Sequence, residues 1–327
     1  MPATKPIRRK RIRSILIWLL LATLFQFTLM NISAALYASK LTHLQMPDKD
    51  TWAKPVSNNI FARTWRHFTG PTFYKQPLNV VPDFPFEVVT LVTADSLRLE
   101  TWYAKTDSVA KGTAVLFHGL MGHKGLVLAE ARAFRQLGYH VLLVDARCHG
   151  NSEGPVTTIG FKEAADVKAA YEWVQAQGEK RIFLCGFSLG AVEVIKAVAD
   201  YGLQPAGIVA EAPFLSLQTH LKGKARLLGF PQQPFGFLTS FWIGVQNGFY
   251  GWGFQVDKYA ANLRCPVLLQ YGARDPLVLQ SELDAIYAAL PPAHKSLEIY
   301  EEAAHESLLG VEPAHWMKAV GDFLKTH

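Results

Sequence analysis

The residues best suited to chemistry in this sequence are a serine and two flanking glycines, in the run GFSLG at 186–190. The run before it, 181–185, is short and apolar, which predicts a buried strand, and the run after it, 191–200, predicts a helix. A Gly-x-Ser-x-Gly turn between a strand and a helix presents its serine hydroxyl as a nucleophile. We therefore interpret Ser188 as the nucleophile of an acyl-transfer reaction. The alternative is an ordinary glycine-rich turn.

A serine hydroxyl needs a histidine to take its proton and a carboxylate to orient that histidine. In this strand–turn–helix setting the chain order is serine, acid, histidine. Asp275 follows the apolar run 265–271, and His305 follows the run 296–300. Both residues come after predicted strands, at the sheet edge where functional loops of α/β proteins collect. The order and placement predict a triad of Ser188, Asp275 and His305.

Glu211 is a second candidate for the acid of the triad, because it ends the predicted strand 207–210. Its alternative role is to cap the turn that follows at Pro213. Asp275 has the more suitable loop after its strand, so we favour Asp275 as the acid.

Acyl transfer also requires hydrogen-bond donors placed in advance around the developing oxyanion. The turn itself supplies one such donor, the backbone N–H of Leu189. A second is expected from the loop 118–122, which follows the predicted strand 113–117 and contains two glycines. We assign this second donor to the backbone N–H of Leu120, and we expect His118 to hold the loop in place.

These runs together resemble the α/β-hydrolase superfamily, and within it the serine hydrolases of the serine aminopeptidase (S33-type) and BEM46-like branch. The resemblance extends from residue 87 to the C-terminus. It rests on the runs 93–97, 118–119, 144–152, 165–167, 186–190 and 211–216, and on the loops of Asp275 and His305. It implies an α/β-hydrolase fold, with a mostly parallel sheet and helices on both faces, and a covalent acyl-enzyme.

The chain departs from the usual pattern of that family at two places. Cys148 stands where the family often has glycine, and the run 277–279 stands where it often has Val-Pro. Neither departure touches the proposed triad. Because the nucleophile is Ser188 and not an aspartate, the epoxide-hydrolase and haloalkane-dehalogenase reactions of the superfamily are disfavoured.

Composition and the order of elements agree with one large domain. The chain has 327 residues, of which 50% are hydrophobic, enough for a single sizeable core. After the serine turn, strand-like and helix-like runs alternate, which predicts a parallel sheet covered by helices. The run 218–262 interrupts the alternation and is rich in aromatic residues and glycine. We interpret it as an apolar lid or as a helical connection, and either suggests an uncharged substrate with a hydrophobic part.

The N-terminus carries the net charge of the chain. Six of the 33 basic residues precede residue 14, so the other 27 balance the 27 acidic residues. The formal charge of +6 is therefore a property of the tail and does not indicate nucleic-acid binding. The six residues are Lys5, Arg8, Arg9, Lys10, Arg11 and Arg13.

Residues 14–39 contain no charged side chain and are long enough for a helix that spans a membrane, which needs about 20 apolar residues. Trp18 and Tyr37 lie near the two ends, where membrane-interface residues are expected. The basic tail 1–13 predicts a cytoplasmic N-terminus and a hydrolase domain, 87–327, outside the cytoplasm. The alternative is a signal peptide cleaved after the small residues 33–35.

The segment 40–86 joins the anchor to the domain, and its prolines argue against long helices. Its aromatic residues make it too apolar for a plain flexible linker, so we expect it to pack on the domain or on the membrane surface. The aromatic residues are Trp52, Phe61, Trp65, Phe68, Phe73 and Tyr74, and the prolines are Pro47, Pro55, Pro71, Pro77, Pro82 and Pro85.

The three cysteines, an odd number, predict free thiols, and no spacing of histidines and cysteines indicates a metal. We expect no cofactor. Three functions stay open from the sequence. The favoured one is a membrane-anchored serine esterase acting on a small ester or lipid-like molecule. The others are an S33-type peptidase or amidase and a non-catalytic scaffold of the same fold.

Overall fold

The structure, a computed structural model, describes residues 6–48, 51 and 59–327. Three residues named above, Lys5, Trp52 and Pro55, lie outside the described residues. The strands have the following bounds: β1 Glu87–Val92, β2 Arg98–Ala104, β3 Thr113–Phe117, β4 His140–Val144, β5 Ile182–Phe187, β6 Gly207–Glu211, β7 Val267–Gly272 and β8 Lys295–Tyr300.

Within the described part of the chain, eight strands form one sheet in the order β1-β2-β4-β3-β5-β6-β7-β8. Strand β2 pairs antiparallel with both of its neighbours, and all other neighbours pair in parallel. Strands β3, β5, β6 and β7 are buried almost throughout, as expected where helices cover both faces of a parallel sheet. The predicted α/β-hydrolase fold with a mostly parallel sheet is confirmed.

The helices lie on both faces of the sheet. Side chains of α4 and α5 belong to the core on one face, and side chains of α3 and α11 belong to the core on the other. The helix bounds are α1 Pro6–Thr42, α2 Ile60–Thr69, α3 Leu128–Gln136, α4 Ala164–Ala176, α5 Leu189–Tyr201, α6 Leu217–Leu227, α7 Gln232–Asn247, α8 Val256–Ala260, α9 Gln280–Ala289, α10 Leu308–Val311 and α11 Pro313–Thr326.

Helix α1 extends beyond the predicted segment 14–39 at both ends. Pro6 is suited to the first turn of a helix, and no further proline or glycine occurs before residue 43 to end it. The part Lys10–Thr42 has a window of mean hydropathy 2.0 that is 0% buried, so α1 is long and apolar enough to cross a membrane. Its last turns instead pack on the hydrolase domain, where Ala34, Ala38 and Leu41 are buried.

Tyr37 was expected at the membrane interface, and the structure corrects that prediction. Its ring is only 4% exposed and meets Phe73 and Phe235 edge-on, at centroid distances of 5.7 and 4.8 Å. The last turns of α1 lie beyond its exposed apolar part and pack on the domain, so Tyr37 contacts protein there. Trp18, at the other end, is 70% exposed.

The connecting segment is anchored to the domain at several points. The backbone of Gln45 bonds with Phe73 and Lys75, each at 2.9 Å, and Phe73 packs against the main core. Between these points the chain forms α2, a helix of ten residues capped by the Asn59 side chain. Proline limited the length of helices here, but it did not prevent a short one.

The interrupting run 218–262 is mainly helical, and we call residues 217–260, which include α6, α7 and α8, the cap. Helix α7 packs on both α6 and α1, with the Trp242 indole donating to Asn31 at 3.3 Å. Stacked aromatic rings stabilise the cap internally, as between Phe237 and Trp252, whose centroids lie 4.2 Å apart. The cap therefore links the hydrolase domain to the N-terminal helix.

Candidate active site

Ser188 lies between the last residue of β5 and the first residue of α5. Its φ of 53° and ψ of −108° are unusual for a residue with a side chain, and such strain is typical of a nucleophile turn. A Cβ on Gly186 would lie 2.3 Å from the carbonyl carbon of Gly190, and a Cβ on Gly190 would lie 2.4 Å from the carbonyl oxygen of Phe117. Only glycine fits at either position, because the strand and the helix meet there.

The structure brings Ser188, His305 and Asp275 together. The Nε2 atom of His305 lies 2.9 Å from Ser188 Oγ, and its Nδ1 atom lies 2.6 Å from Asp275 Oδ2. Two hydrogen bonds therefore connect three residues that lie in separate loops. In this arrangement His305 can take a proton from Ser188 while its other nitrogen donates to the carboxylate.

Backbone groups hold the carboxylate of Asp275 in place. Its Oδ1 atom accepts from the N–H groups of Leu277 and Val278, at 2.7 and 2.9 Å, which leaves Oδ2 for His305. The guanidinium of Arg226, on the cap helix α6, donates to the carbonyls of Pro276 and Leu277 at 3.0 and 3.1 Å. The cap therefore supports the loop that carries Asp275, a contact for which the sequence offered no signal.

The loop 118–122 lies beside Ser188. A Cβ on Gly119 would lie 3.7 Å from the Cβ of Ser188. The ring of His118 holds this loop, because its Nδ1 bonds with the Gly119 carbonyl at 2.8 Å and its Nε2 accepts from the Ala146 N–H at 3.2 Å. Burial lowers the pKa of His118, which keeps the ring neutral as this pair of bonds requires.

A buried ion pair fixes the end of the same loop. The Asp145 carboxylate accepts from the backbone N–H of Lys124 at 2.6 Å and from its ammonium at 2.5 Å, and both side chains are fully buried. Glu100 adds a second carboxylate at 2.8 Å from the same ammonium. Asp145 belongs to the run 144–152 that carried the family resemblance, and in the structure this run supports the loop next to Ser188.

Glu211, the second candidate for the acid, faces another part of the molecule. Its Oε1 atom accepts from the Trp316 indole at 2.6 Å and from the Gln270 amide at 3.2 Å. Burial, reinforced by the nearby Glu130 carboxyl, raises the pKa of Glu211 to about 8. The side chain is directed to these two partners, while Asp275 is the carboxylate on His305.

A cavity of about 280 Å³ adjoins the loop 118–122 and is lined mainly by apolar side chains. Glu130 and Glu211 are its buried carboxyls. The Oε1 atom of Glu130 accepts from the Ser307 hydroxyl at 2.5 Å, which ties α3 to the loop of His305. Its Oε2 atom is buried and has no hydrogen-bond partner among the residues that the structure describes. The sequence did not single out Glu130 or Ser307, because they meet across 177 positions.

The family model of the serine aminopeptidases, S33, matches residues 108–235 and 243–313, which is more than half of the chain. The chain belongs to the serine aminopeptidase S33 family. At Cys148, where the family resemblance led us to expect glycine, φ is 64°. Glycine adopts such a backbone conformation without strain, which gives the expectation a physical reason. Cys148, Cys185 and Cys265 are buried free thiols.

Curated relatives of this S33 chain include a lipase. The lysophosphatidylserine lipase ABHD12 of Danio rerio is 26% identical over 183 residues, which are 54% of this chain and 47% of the lipase. The chain thus spans about half the length of that relative. An uncharacterised membrane protein of Saccharomyces cerevisiae is 24% identical over 73% of this chain and 80% of its own length.

Solved structures include an esterase with the same fold. The esterase Pf2001 of Pyrococcus furiosus is 26% identical, covers 77% of this chain and 99% of its own, and superposes with a TM-score of 0.62. Its identity to this chain is therefore similar to that of the Danio lipase, over a larger share of the S33 chain.

Proposed function

We propose that this protein is a membrane-anchored serine hydrolase that cleaves ester bonds of an uncharged, partly hydrophobic substrate. The observation that carries the proposal is the hydrogen-bonded line from Ser188 through His305 to Asp275. Membership of the S33 family and similarity to a lipase and an esterase support the same chemistry. The proposed steps use side chains, backbone N–H groups and water.

In the first proposed step, the Ser188 oxygen attacks the ester carbonyl carbon while His305 Nε2 takes the hydroxyl proton. Asp275 accepts from Nδ1–H throughout and stabilises the imidazolium. The carbonyl π electrons move to oxygen, and the oxyanion accepts from the backbone N–H groups of Leu189 and Leu120. Leu189 is the first residue of α5, so the positive end of the helix dipole favours that negative charge.

The tetrahedral intermediate then collapses, and the bond to the leaving alcohol breaks. His305 returns its proton to the alcohol oxygen, which leaves an acyl-enzyme on Ser188 and a neutral alcohol. Water next attacks the acyl carbonyl with His305 as the base, and the carboxylic acid leaves as Ser188 regains its proton. In each half of the reaction His305 first accepts a proton and then donates it.

The surroundings of the site favour a substrate with an apolar part. The cavity next to the loop 118–122 is lined mainly by apolar side chains. A peptidase or amidase of the S33 type is the second candidate. It is favoured by one observation: the carboxyl of Glu130, which lines the cavity, has an oxygen with no hydrogen-bond partner among the described residues, and a carboxyl there suits a substrate amine.

A matched pair of substrates tests this choice. The full chain in detergent is expected to release fatty acid from an uncharged monoacylglycerol and to hydrolyse a p-nitrophenyl ester faster than the p-nitroanilide with the same acyl group. The ratio of kcat/KM for the ester to kcat/KM for the anilide, obtained from initial rates, measures the preference for esters over amides. Faster cleavage of an aminoacyl anilide than of its ester would establish the peptidase instead, and no turnover of either would favour the scaffold.

The structure also bears on the two interpretations of the N-terminus. The α1 helix is continuous through the small residues 33–35, where a signal peptide would be cleaved. The Gln246 amide of the cap donates to the Ala35 carbonyl at 2.9 Å, and Ala34 is buried. Cleavage here would remove residues that pack on the cap, which supports an anchor that stays on the mature protein.

We expect the mature protein to keep its N-terminus and to stay in the membrane pellet after carbonate washing. Protease added from outside should digest the hydrolase domain, because the basic tail holds the N-terminus in the cytoplasm. N-terminal sequencing shows whether the N-terminus is kept, and immunoblots against a tag at each end show where the protein is found and which part is digested. A soluble protein that begins at Leu36 would show a cleaved signal peptide, and digestion only from the cytoplasmic side would reverse the orientation.

A further inference from the structure

A groove of about 690 Å³ lies between the N-terminal helix α1, the short helix α2 and the cap, apart from the loops around Ser188. Its lining is mainly apolar. Helix α1 contributes Gln26, Leu29, Met30, Ser33, Ala34 and Tyr37. These residues recur every three or four positions, so they form one face of α1.

The position of this face along α1 places the groove at the level of the lipid bilayer. A membrane-spanning helix needs about 20 residues for the hydrocarbon core. Counted from Ser14, which follows the last basic residue of the tail, that length reaches Ser33. Most residues of the α1 wall, from Gln26 to Ser33, therefore lie in the outer part of the hydrocarbon, next to the domain.

Helix α2 has the character of a helix that lies in the membrane interface. Phe61 and Trp65 are 81% and 63% exposed and lie one turn apart, although both are large and apolar. Exposed aromatic residues on an amphipathic helix are typical of the interface between lipid and water. The Ser33 hydroxyl donates to the Phe68 carbonyl, which fixes α2 at the depth where the hydrocarbon ends.

The charge of α2 complements an anionic lipid headgroup. The helix carries Arg63, Arg66 and His67, and no acidic residue occurs between residues 51 and 82. Arg66 and His67 line the groove. The groove thus has apolar walls along α1 and basic groups on α2, which matches the two parts of a phospholipid.

The buried hydroxyl of Tyr37 gives an independent indication of a ligand. Tyr37 lines the groove, and its hydroxyl is buried without a hydrogen-bond partner in the described part of the chain. Leaving such a group unpaired is unfavourable, and a ligand oxygen that reached it would satisfy it. A glycerol ester or a phosphate oxygen supplies that acceptor.

We propose that this groove binds one acidic glycerophospholipid of the leaflet next to the hydrolase domain. An acyl chain lies along the α1 face and against Phe235 and Leu238 of the cap, and the phosphate lies near Arg66 and His67. The inference rests on the membrane anchoring of the proposed function, but it does not depend on the chemistry of Ser188. The bound lipid is a ligand of the junction between anchor and cap, distinct from a substrate at the triad.

The test uses the full chain in nanodiscs that contain photoactivatable phospholipids. One probe is phosphatidylserine with a diazirine on its acyl chain, and the matched probe is phosphatidylcholine with the same chain. After irradiation, mass spectrometry locates the labelled peptides. We expect labelling of the cap peptide that contains Leu238, in addition to the exposed part of α1 that any lipid touches.

Two matched pairs of variants test the two parts of the site. Leu238→Trp fills the groove and should lose most of the cap labelling, whereas Val245→Trp, at an exposed position of the same helix, should keep it. Arg66→Gln should lower the preference for phosphatidylserine over phosphatidylcholine by about fivefold, because it removes a basic side chain that lines the groove. Arg63→Gln, outside the groove lining, should change this preference less.

Several results would overturn the proposal. Labelling confined to the exposed part of α1 would show annular lipid only. Equal labelling of the cap in Leu238→Trp and Val245→Trp would show that the groove does not hold the acyl chain. Equal headgroup preferences in Arg66→Gln and Arg63→Gln would show that the groove does not hold the phosphate. Circular dichroism of each variant shows whether it is folded. The Ser188→Ala variant should keep the groove labelling. Failure of fluorophosphonate labelling at Ser188 with intact groove labelling would therefore overturn the proposed catalysis and leave the lipid site.

Discussion

Ser188→Ala is expected to lower kcat for ester hydrolysis by about 10⁶-fold and to abolish covalent labelling by a fluorophosphonate probe. The substitution removes the oxygen that attacks the ester carbonyl in the proposed mechanism, and His305 then has no hydroxyl proton to take. Because alanine also has a Cβ, the backbone strain at φ 53° is the same in both proteins. The free energy of unfolding should therefore change little, and activity and labelling should be lost from a folded protein.

Ser240→Ala is the matched control, since it removes the same atom from another buried serine. The Ser240 hydroxyl donates to the Phe237 carbonyl at 2.9 Å within the cap helix, away from the triad. Its removal should leave labelling intact and kcat nearly unchanged. Labelling that persists in Ser188→Ala would show that the probe reacts elsewhere, and the assignment of the nucleophile would then be wrong.

Asp275→Asn is expected to lower kcat by about 10⁴-fold, with a much smaller effect on KM. The carboxylate accepts from Nδ1–H of His305, which leaves Nε2 free to take the proton of Ser188. An amide in its place can donate to Nδ1 and so favour the wrong tautomer, with the proton on Nε2. The geometry of the loop should survive, because the amide oxygen can still accept from Leu277 and Val278.

Glu211→Gln makes the same chemical change at the other candidate acid, and we expect it to lower kcat by less than about tenfold. The carboxyl of Glu211 bonds with Trp316 and Gln270, and a neutral amide can keep the bond from Trp316. A larger loss in Glu211→Gln than in Asp275→Asn would move the triad acid to Glu211.

The pH dependence of stability gives the Glu211→Gln control its own readout. The pKa of Glu211 is about 8 in the folded protein against 4.5 for a free glutamate. Between these values the folded state holds the proton more tightly than the unfolded state, so stability falls as the pH rises. The free energy of unfolding of Glu211→Gln should therefore rise relative to the wild type across this range, as measured by denaturant titration.

The parts of the fold with local signals were predictable from the sequence. The turn around Ser188 depends on two glycines within four positions, and the strands and helices show as apolar runs of the expected length and period. The same holds for α1, whose uncharged stretch predicts a helix, although its ends at Pro6 and Thr42 lie beyond the predicted bounds. Periodicity gives the type of an element better than its ends.

Prediction was weaker wherever contacts between distant segments decide the outcome. Tyr37 follows the rule for an interfacial aromatic residue, yet it is buried because Phe73 and Phe235 meet it. The prolines of the connecting segment hid α2, whose exposed Phe61 and Trp65 become meaningful only beside α1. The sequence alone could not decide between a lid and a helical connection for the cap, which forms helices that pack on α1.

By itself, the sequence determined the fold class, the turn around Ser188, the order of the proposed triad and the apolar N-terminal helix, because short-range patterns carry each of them. Only the tertiary structure decided which carboxylate lies on His305, how Glu130 meets Ser307, and that a groove opens between α1, α2 and the cap. These features depend on side chains that are far apart in the chain. Their distances follow from the packing of the whole core, which no local pattern records.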